Sequence, residues 1–547
     1  CVVGYEVAGV VEKWGAGVSG LTEGQRVLAM TRFGGYSDVV CAPHRQVIPI
    51  HDGLSFEKAA AIPVTYLTAW MMLVHLGNVR KGDRVVMLTP NRPEFVTVFL
   101  GIARTGATAI PMDIRYKLEE MVNLFANCMP KVVIGESDCI APVVASLSRF
   151  PHIKHVIDLD GKFQGQHLAY REIMANSPAT PVQVKIDPDD IGLISYSGGP
   201  TNRPKGAVIS HRCLVAEAEI SARGFAQTER DVVMLFALPM YHNFALASAF
   251  LGSVKAGSTI VMVPGTGVSI ATLMEVIERE RGTMLFGVPY IYALANNIAE
   301  REGVKSDLSS LRVCASGGAV LRVEVIHDFM KYYGIRLADI WGLTESVSHV
   351  TCPPMDGSGK IGSIGKALPG WEARICDDDG RELPLNEVGE IVVRGPVMKG
   401  YNNNPQDTAK ALQDGWLHTG DLGSIDADGY VFFHGVKKEM MVLKGQNVYP
   451  HDIEETLLTH PKVAEVKVIG IPDKLRGEVV GAAIKPKSGV TVTEAEIKHF
   501  CQEHMTDYKV PRQIVFVGSI PRAVSWKEVR ARLLPLFAAS TPLEIRR

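Results

Sequence analysis

Tyr196-Ser197-Gly198-Gly199-Pro200-Thr201-Asn202-Arg203-Pro204-Lys205-Gly206 lies between two apolar runs, Ile191-Gly192-Leu193-Ile194 and Ala207-Val208-Ile209-Ser210. The first run reads as a buried strand and the second as its continuation beyond the loop. Glycine permits positive φ and brings backbone N–H groups close to an anion. Ser197 and Thr201 add hydroxyl donors, and Arg203 and Lys205 add positive charge. This is the composition of a loop that closes over a polyphosphate. It is not the Walker pattern, because Gly206 follows the lysine and no helix start is evident there. A glycine-rich hairpin turn with an incidental lysine has the same composition.

The whole chain bounds what the loop can serve. At 547 residues it is long enough for two to four domains. A hydrophobic content of 46% and a charged content of 21% describe an ordinary globular protein. A net charge of −2 gives no bulk drive toward nucleic acid or membrane. The nine cysteines stand singly with no CxxC pair, which argues against a disulfide framework or zinc knot and for a reducing, cytoplasmic setting. No apolar run is long enough for a transmembrane segment, and no signal peptide is evident. Cys1 enters a strand already under way, which reads as a truncated or processed start.

Residues 1–80 read as β-rich, with strands over Val2–Glu12, Gly24–Met30 and Phe33–Val40 and a helix starting near Ser55. Gly4-Tyr5-Glu6-Val7-Ala8-Gly9-Val10-Val11, Phe33-Gly34-Gly35-Tyr36 and Leu54–Thr65 resemble the GroES-like barrel of the medium-chain dehydrogenase/reductase superfamily, its quinone oxidoreductase branch in particular. That family continues into a dinucleotide-binding unit. Here Asp83–Leu88 is followed by Thr89-Pro90-Asn91-Arg92-Pro93-Glu94, without a glycine fingerprint, so nicotinamide binding is not expected.

From Gly82 strands and helices alternate. Strands are expected at Val85–Leu88, Thr108–Pro111, Lys131–Ile134, Val232–Leu238, Thr259–Val263, Met284–Val288 and Val313–Ser316. Helices are expected at Pro93–Thr105, Leu118–Asn127, Ala245–Lys255 and Ile270–Glu280. This rhythm predicts α/β layers with parallel sheets covered on both faces. Beyond residue 360 the texture is β-rich, and 437–547 reads as a smaller mixed α+β unit. The expected division is 1–80, 81–435 and 436–547, with a hinge at Gly435-Val436-Lys437-Lys438.

Four further stretches follow the loop: Pro239-Met240-Tyr241-His242, Ser316-Gly317-Gly318-Ala319, Trp341-Gly342-Leu343-Thr344-Glu345 and Gly415-Trp416-Leu417-His418-Thr419-Gly420-Asp421. With the loop, in this order, they resemble the adenylate-forming superfamily of acyl-CoA synthetases, luciferases and peptide-synthetase adenylation domains. The resemblance runs from about Gly82 to Arg530. Each motif alone is weak, but five in order are strong. The implied fold is a large adenylate-forming domain of stacked sheets and helices plus a small mobile α+β C-terminal domain, preceded by a partial GroES-like segment.

The resemblance implies the following roles. Ser197, Gly199, Thr201 and Lys205 hold the β- and γ-phosphates of ATP. Glu345, with Thr201, contacts Mg²⁺, a hard cation that prefers oxygen ligands, and Thr344 directs a hydroxyl at phosphate. Trp341 offers a face to adenine, Gly318 and Ala319 let the backbone approach the base, and Gly342 belongs to the same nucleotide site. Asp421 accepts the ribose hydroxyls. His242 lies by the carboxylic acid substrate, and Gly287-Val288-Pro289-Tyr290 walls the acyl pocket. Pro521–Arg530 carries Lys527, the lysine bridging carboxylate and α-phosphate. Lys438 is the hinge, and Lys444–Pro450, with Gly445, lines the pantetheine tunnel for CoA. Each residue also has a plain structural reading: Trp341 as core, His242 as a structural histidine, Thr344-Glu345 as a helix start, Lys527 as a solvated lysine.

Departures from the family pattern are Gly198, Pro200 and Asn202 in the loop, Val436 in place of an arginine, and Ala523 and Trp526 around Lys527. The leading expectation is an ATP- and Mg²⁺-dependent acid–CoA ligase acting on a fatty or aromatic acid, since Phe286, Val288 and Tyr290 are apolar. A close variant loads an acyl-carrier protein. The other expectations are a weakly active ATP-binding scaffold, motivated by the departures, and a quinone reductase, which requires NADPH.

Overall fold

The computed structural model describes residues 6–30, 39–44, 47–50, 56, 79–163, 168–170, 184–196, 205–236, 238–263, 269–439, 441–443, 446–473, 477–505, 509–521 and 526–539. For 6, 30, 438, 442, 443, 446, 447, 477, 526–528 and 539 it describes the backbone alone. The expected strand at Phe33–Val40 and helix near Ser55 therefore fall largely outside the described residues.

The chain opens with an antiparallel three-stranded sheet, β1 (Glu6–Val10), β2 (Arg26–Met30) and β3 (Val47–Pro49). The alternating region follows with β4 (Arg84–Leu88), α1 (Pro93–Thr105), β5 (Thr108–Pro111), α2 (Leu118–Cys128), β6 (Val132–Gly135), β7 (His155–Asp158) and β8 (Leu168–Ala169). Local chemistry sets these boundaries. Pro93 opens α1, where a missing N–H costs nothing, and Gly106 closes it at φ 71°.

The two apolar runs around the opening loop form β9 (Ile191–Tyr196) and β10 (Gly206–Ser210), and α3 (His211–Gly224) starts directly after Ser210, whose side chain caps it. β9 and β10 pair antiparallel, so the loop spans a hairpin. The first large sheet is consequently mixed rather than parallel throughout.

The second large sheet is parallel. Its order is β12 (Thr259–Val263), β11 (Val232–Phe236), β13 (Met284–Gly287), β14 (Val313–Ser316), β15 (Leu337–Asp339). Crossover helices include α4 (Ile270–Glu280), α5 (Pro289–Glu302) and α6 (Val323–Tyr333). The segment expected as a helix over Ala245–Lys255 is a π-helix over Phe244–Leu251 running into an α-helix over Gly252–Ala256. The N–H of Gly252 donates to the Ala247 carbonyl, five residues back.

Next come β16 (Trp341–Gly342), β17 (His349–Cys352) and β18 (Lys366–Ala367), then β19 (Glu372–Cys376), β20 (Gly389–Arg394), β21 (Gly400–Tyr401), β22 (Leu412–Gln413), β23 (Trp416–Ile425) and β24 (Val431–Val436). β21 adds to the far edge of β10. The last part holds β25 (Met441–Leu443), β26 (Gln446–Val448), α7 (Pro450–Leu458), β27 (Val463–Asp473), β28 (Gly477–Pro486), α8 (Glu494–His504), β29 (Gln513–Phe516) and α9 (Trp526–Ala539). Thr493 and Glu496 cap α8 reciprocally.

The largest apolar cluster runs from Val79 to Val431 and includes Phe225, Phe244 and Phe286, while separate clusters around Val468 and Phe537 hold the last part together. The rings of Phe225 and Phe244 meet Phe286 edge-on at 5.0 and 5.9 Å.

Candidate active site

A parallel sheet sends its strand ends into loops at one edge, and ligands bind in the crevice there. Four of the sequence motifs leave this sheet at that edge. Pro239–His242 follows β11, Gly287 ends β13, Ser316–Ala319 follows β14, and Ile340–Glu345 follows β15.

Asn91 fixes the first of these turns. Its Oδ1 accepts from the Met240 N–H at 2.7 Å, and its Nδ2 donates to the Leu238 carbonyl at 2.8 Å. The stretch that lacks a dinucleotide fingerprint thus anchors the His242 turn. Gly318 sits at φ 79° with open space where a Cβ would point. Gly342 has no such room, because a Cβ would run into the backbone of Ser348 and His349.

Two cavities meet at these glycines. One, of about 390 Å³, is lined by Gly318, Ala319, Trp341, Asp421, Val436 and, from α7, His451. The other, of about 260 Å³, is lined by His242, Asn243, Thr344, Glu345, Ser348 and His349. Gly318, Ile340 and Gly342 line both.

In the larger cavity the Trp341 indole Nε1 donates to Asp421 Oδ2 at 2.8 Å. Burial pushes the Asp421 carboxyl up to about 7, with the Trp341 bond opposing and the Glu345 charge adding to the rise. Asp339, half-buried at the end of β15, is likewise pushed well above the usual carboxylate range by burial. Asp421 pairs in register with Val436. His451 lies near the same wall. Burial lowers its pKa, but the neighbouring Glu455 carboxylate outweighs this, so the net shift is upward.

Thr344 and Glu345 occupy a turn rather than a helix start. The Tyr401 hydroxyl donates to Glu345 Oε1 at 2.8 Å. Val347, fully buried in the same turn, has φ 66°, an uncommon conformation for a β-branched residue. Lys205 Nζ lies 3.0 Å from Asp407 Oδ2 and 5.0 Å from the centre of the Tyr401 ring. At the base of β24, Glu390 accepts from the Gly420 N–H at 2.9 Å and from Lys437 Nζ at 3.0 Å.

The structure therefore gathers His242, Gly318, Ala319, Trp341, Gly342, Thr344, Glu345 and Asp421 around two joined cavities. Lys205 stands at the start of β10, tied to Asp407. Ser197, Gly199, Thr201 and Gly445 lie outside the described residues. Lys438 falls in the turn Lys437–Glu439 and Lys527 is the second residue of α9, both described as backbone. The residues expected at the acyl wall lie apart from the cavity beside His242. Phe286 is fully buried in the core, Tyr290 is 56% exposed, and neither they nor Val288 line the cavity beside His242. Sequence reading missed Asn91, Glu217, Asn243, His349, Tyr401 and Asp407, none of which stands in a motif.

Comparison with known proteins agrees with this geometry. The model of the AMP-binding enzymes matches residues 68–402, that of the AMP-binding enzyme C-terminal domain matches 452–527, and that of the alcohol dehydrogenase GroES-like domain matches 1–52. The chain belongs to the family of AMP-binding enzymes. Its activity is that of an ATP-dependent acid–CoA ligase.

An indoleacetate–CoA ligase of Aromatoleum aromaticum is 33% identical, the match covering 84% of this chain and 89% of the relative. A long-chain-fatty-acid–CoA ligase of Bacillus subtilis is 30% identical over 84% of this chain and 86% of its own. The ATP-bound crystal structure of MatB from Rhodopseudomonas palustris superposes with a TM-score of 0.80 at 28% identity, covering 88% of this chain and 94% of that one. Among the described residues no helix is long and apolar enough to cross a membrane.

Proposed function

We propose that the larger cavity takes the adenosine of ATP and the smaller one a compact, aromatic acid, so that carboxylate and α-phosphate meet over Gly318 and Gly342. The observation that carries this reading is the wall shared by the two cavities. A carboxylate oxygen attacks the α-phosphorus, the bond to the β-phosphate bridging oxygen breaks, and pyrophosphate leaves. A thiol then attacks the acyl carbonyl, forming the thioester and releasing AMP. Of the two acid classes expected, the aromatic one suits the space better. About 260 Å³ lies below the ~300–1,000 Å³ of pockets for drug-sized ligands, and its wall is set by Phe244, Ile340 and His349.

In this reading Asp421 accepts the ribose hydroxyls, Trp341 and the Gly318-Ala319 backbone flank the base, and Asp339 faces its exocyclic amine. Lys205 leaves Asp407 for the phosphates, with Ser197, Gly199 and Thr201 beside it, and Lys527 offers a positive charge to the carboxylate and α-phosphate. Mg²⁺ would suit Glu345 and the Thr344 hydroxyl, hard oxygen donors on one cavity wall, with Thr201 added as the family resemblance implies. When bound it supplies neutralisation of phosphate charge. Lys438 is the pivot of a C-terminal unit beginning near 436, and Gly445 lies on the path of the CoA pantetheine. A carrier-protein thiol would use the same path. A cytoplasmic setting suits the eight free cysteines of the described residues.

Carboxylate-dependent ATP–pyrophosphate exchange tests the reading. Exchange abolished by Lys527→Ala is expected. Nucleotide binding without exchange across a broad acid panel would instead leave the ATP-binding scaffold. Thioester formation with CoA or with a carrier protein separates the two acceptors.

A further inference from the structure

The smaller cavity has a polar floor. His349, 2% exposed at the start of β17, points Nδ1 at Ser248 Oγ, 2.8 Å away, and at Glu217 Oε1, 3.2 Å away. Ser248 Oγ lies 2.6 Å from Ser348 Oγ. Glu217, fully buried on α3, also accepts from the backbone N–H of His349 at 3.2 Å. The Phe225 ring lies against the imidazole, 5.0 Å between centres. One ring nitrogen of His349 is thus held, and the other, Nε2, has no hydrogen-bond partner among the described residues. Asn243, 3% exposed on the same cavity, spends Nδ2 on the Thr344 carbonyl, and its Oδ1 is also without a partner among the described residues.

A buried polar atom left unpaired costs about 1–3 kcal/mol. A purely hydrocarbon acid would leave His349 Nε2 and Asn243 Oδ1 unpaired. An acid carrying a hydroxyl or N–H group at its far end would satisfy them.

We infer that His349, set by Glu217 and Ser248, and Asn243 select a compact acid bearing a hydrogen-bonding hydroxyl or N–H group away from its carboxylate. This rests on the acid-activating reading of the same cavity and narrows its substrate class. His349 and Asn243 are specificity residues, while Glu217 and Ser248 act through His349 as positioning residues.

The test is pyrophosphate exchange by the wild-type protein with matched pairs of compact aromatic acids, each pair comparing a ring hydroxyl or N–H with a hydrogen or methyl of similar size. A kcat/KM at least 10-fold higher for the polar member is expected. In the paired variant Glu217→Leu/His349→Phe, which leaves no unpaired buried carboxylate, KM for the polar member should rise at least 10-fold and the preference should shrink to within about 3-fold. Equal use of both members by the wild type, or preference for the apolar one, overturns the inference and leaves acid activation standing. Exchange with neither member of any pair overturns the compact-aromatic reading of the cavity and the inference together. The wild-type panel decides even where the variant does not fold.

Discussion

The indole Nε1 of Trp341 donates to the Asp421 carboxylate across 2.8 Å. In the proposed reading the residue that offers adenine its face would also hold, by its edge, the carboxylate offered to the ribose. Trp341→Phe keeps the face and removes the donor. Nucleotide affinity should fall about 3- to 10-fold, the size of one lost hydrogen bond of roughly 1 kcal/mol. Calorimetric titration with AMP measures it, and unchanged affinity would show that the bond does not organise Asp421.

Asp421 also gives nucleotide binding a pH dependence. Its carboxyl is pushed up to about 7 by burial. As pH falls through 7 the group takes up a proton and loses an acceptor for the ribose. Affinity for AMP should be flat above pH 8 and fall by up to about tenfold per unit below 7, with no such slope in Asp421→Asn. The free protein should trend oppositely. A carboxyl whose folded pKa is raised contributes stability that is fully present below its unfolded value, near 3.8, and lost as pH rises through 7. Thermal melts of the wild type and Asp421→Asn between pH 5 and 8 separate the two effects.

Glu345 is held by the Tyr401 hydroxyl at 2.8 Å. Tyr401→Phe frees the carboxylate to turn. The Mg²⁺ concentration for half-maximal exchange should rise about 5-fold, in keeping with one hydrogen bond to a charged group, while Glu345→Gln should cost far more. A Mg²⁺ titration at saturating ATP and acid reads both.

Lys205 is tied to Asp407 at 3.0 Å while both side chains are partly exposed. Such a pair is worth about 0–1 kcal/mol, and a phosphate must compete with it. Asp407→Asn should lower KM for ATP about 2- to 5-fold with little change in thermal stability. A raised KM would mean that Asp407 positions the lysine rather than restrains it.

Gly342 tolerates no Cβ, because the backbone of Ser348 and His349 occupies its place. Gly342→Ala should destabilise the protein by about 2–3 kcal/mol, read by denaturant unfolding, and should widen the wall shared by the two cavities. A stability loss below about 0.5 kcal/mol would show that the backbone there yields.

Much of this was legible in the chain. The strands at Thr108–Pro111 and Thr259–Val263 and the helices at Pro93–Thr105 and Ile270–Glu280 have the boundaries read from their apolar patterns. The π-helix at Phe244–Leu251 was not, because seven of its eight residues are buried. A segment apolar on every side carries no stripe from which to read its pitch. Most motif residues converge because four motifs leave strand ends on one sheet edge, while Asp421 reaches the same cavity from within β23 of another sheet. The floor of the acid cavity was hidden because Glu217 and His349 are 132 positions apart and meet only through tertiary packing. Phe286 misled for the converse reason. An apolar residue beside a binding motif belongs to the core when its strand is central, and β13 has neighbours on both sides.

The wide turns of Phe244–Leu251 have a consequence for how such a protein can change. This one segment joins the cavity wall at His242 and Phe244 to Ser248, which holds the His349 ring of that cavity. Removing a single residue from it would restore the tighter helical pitch and swing Ser248 away from His349, emptying the floor without altering any side chain that lines it. Insertion and deletion along this helix thus form a route to new acids separate from point substitution, and libraries that vary its length sample pocket shapes that libraries varying only its letters never reach.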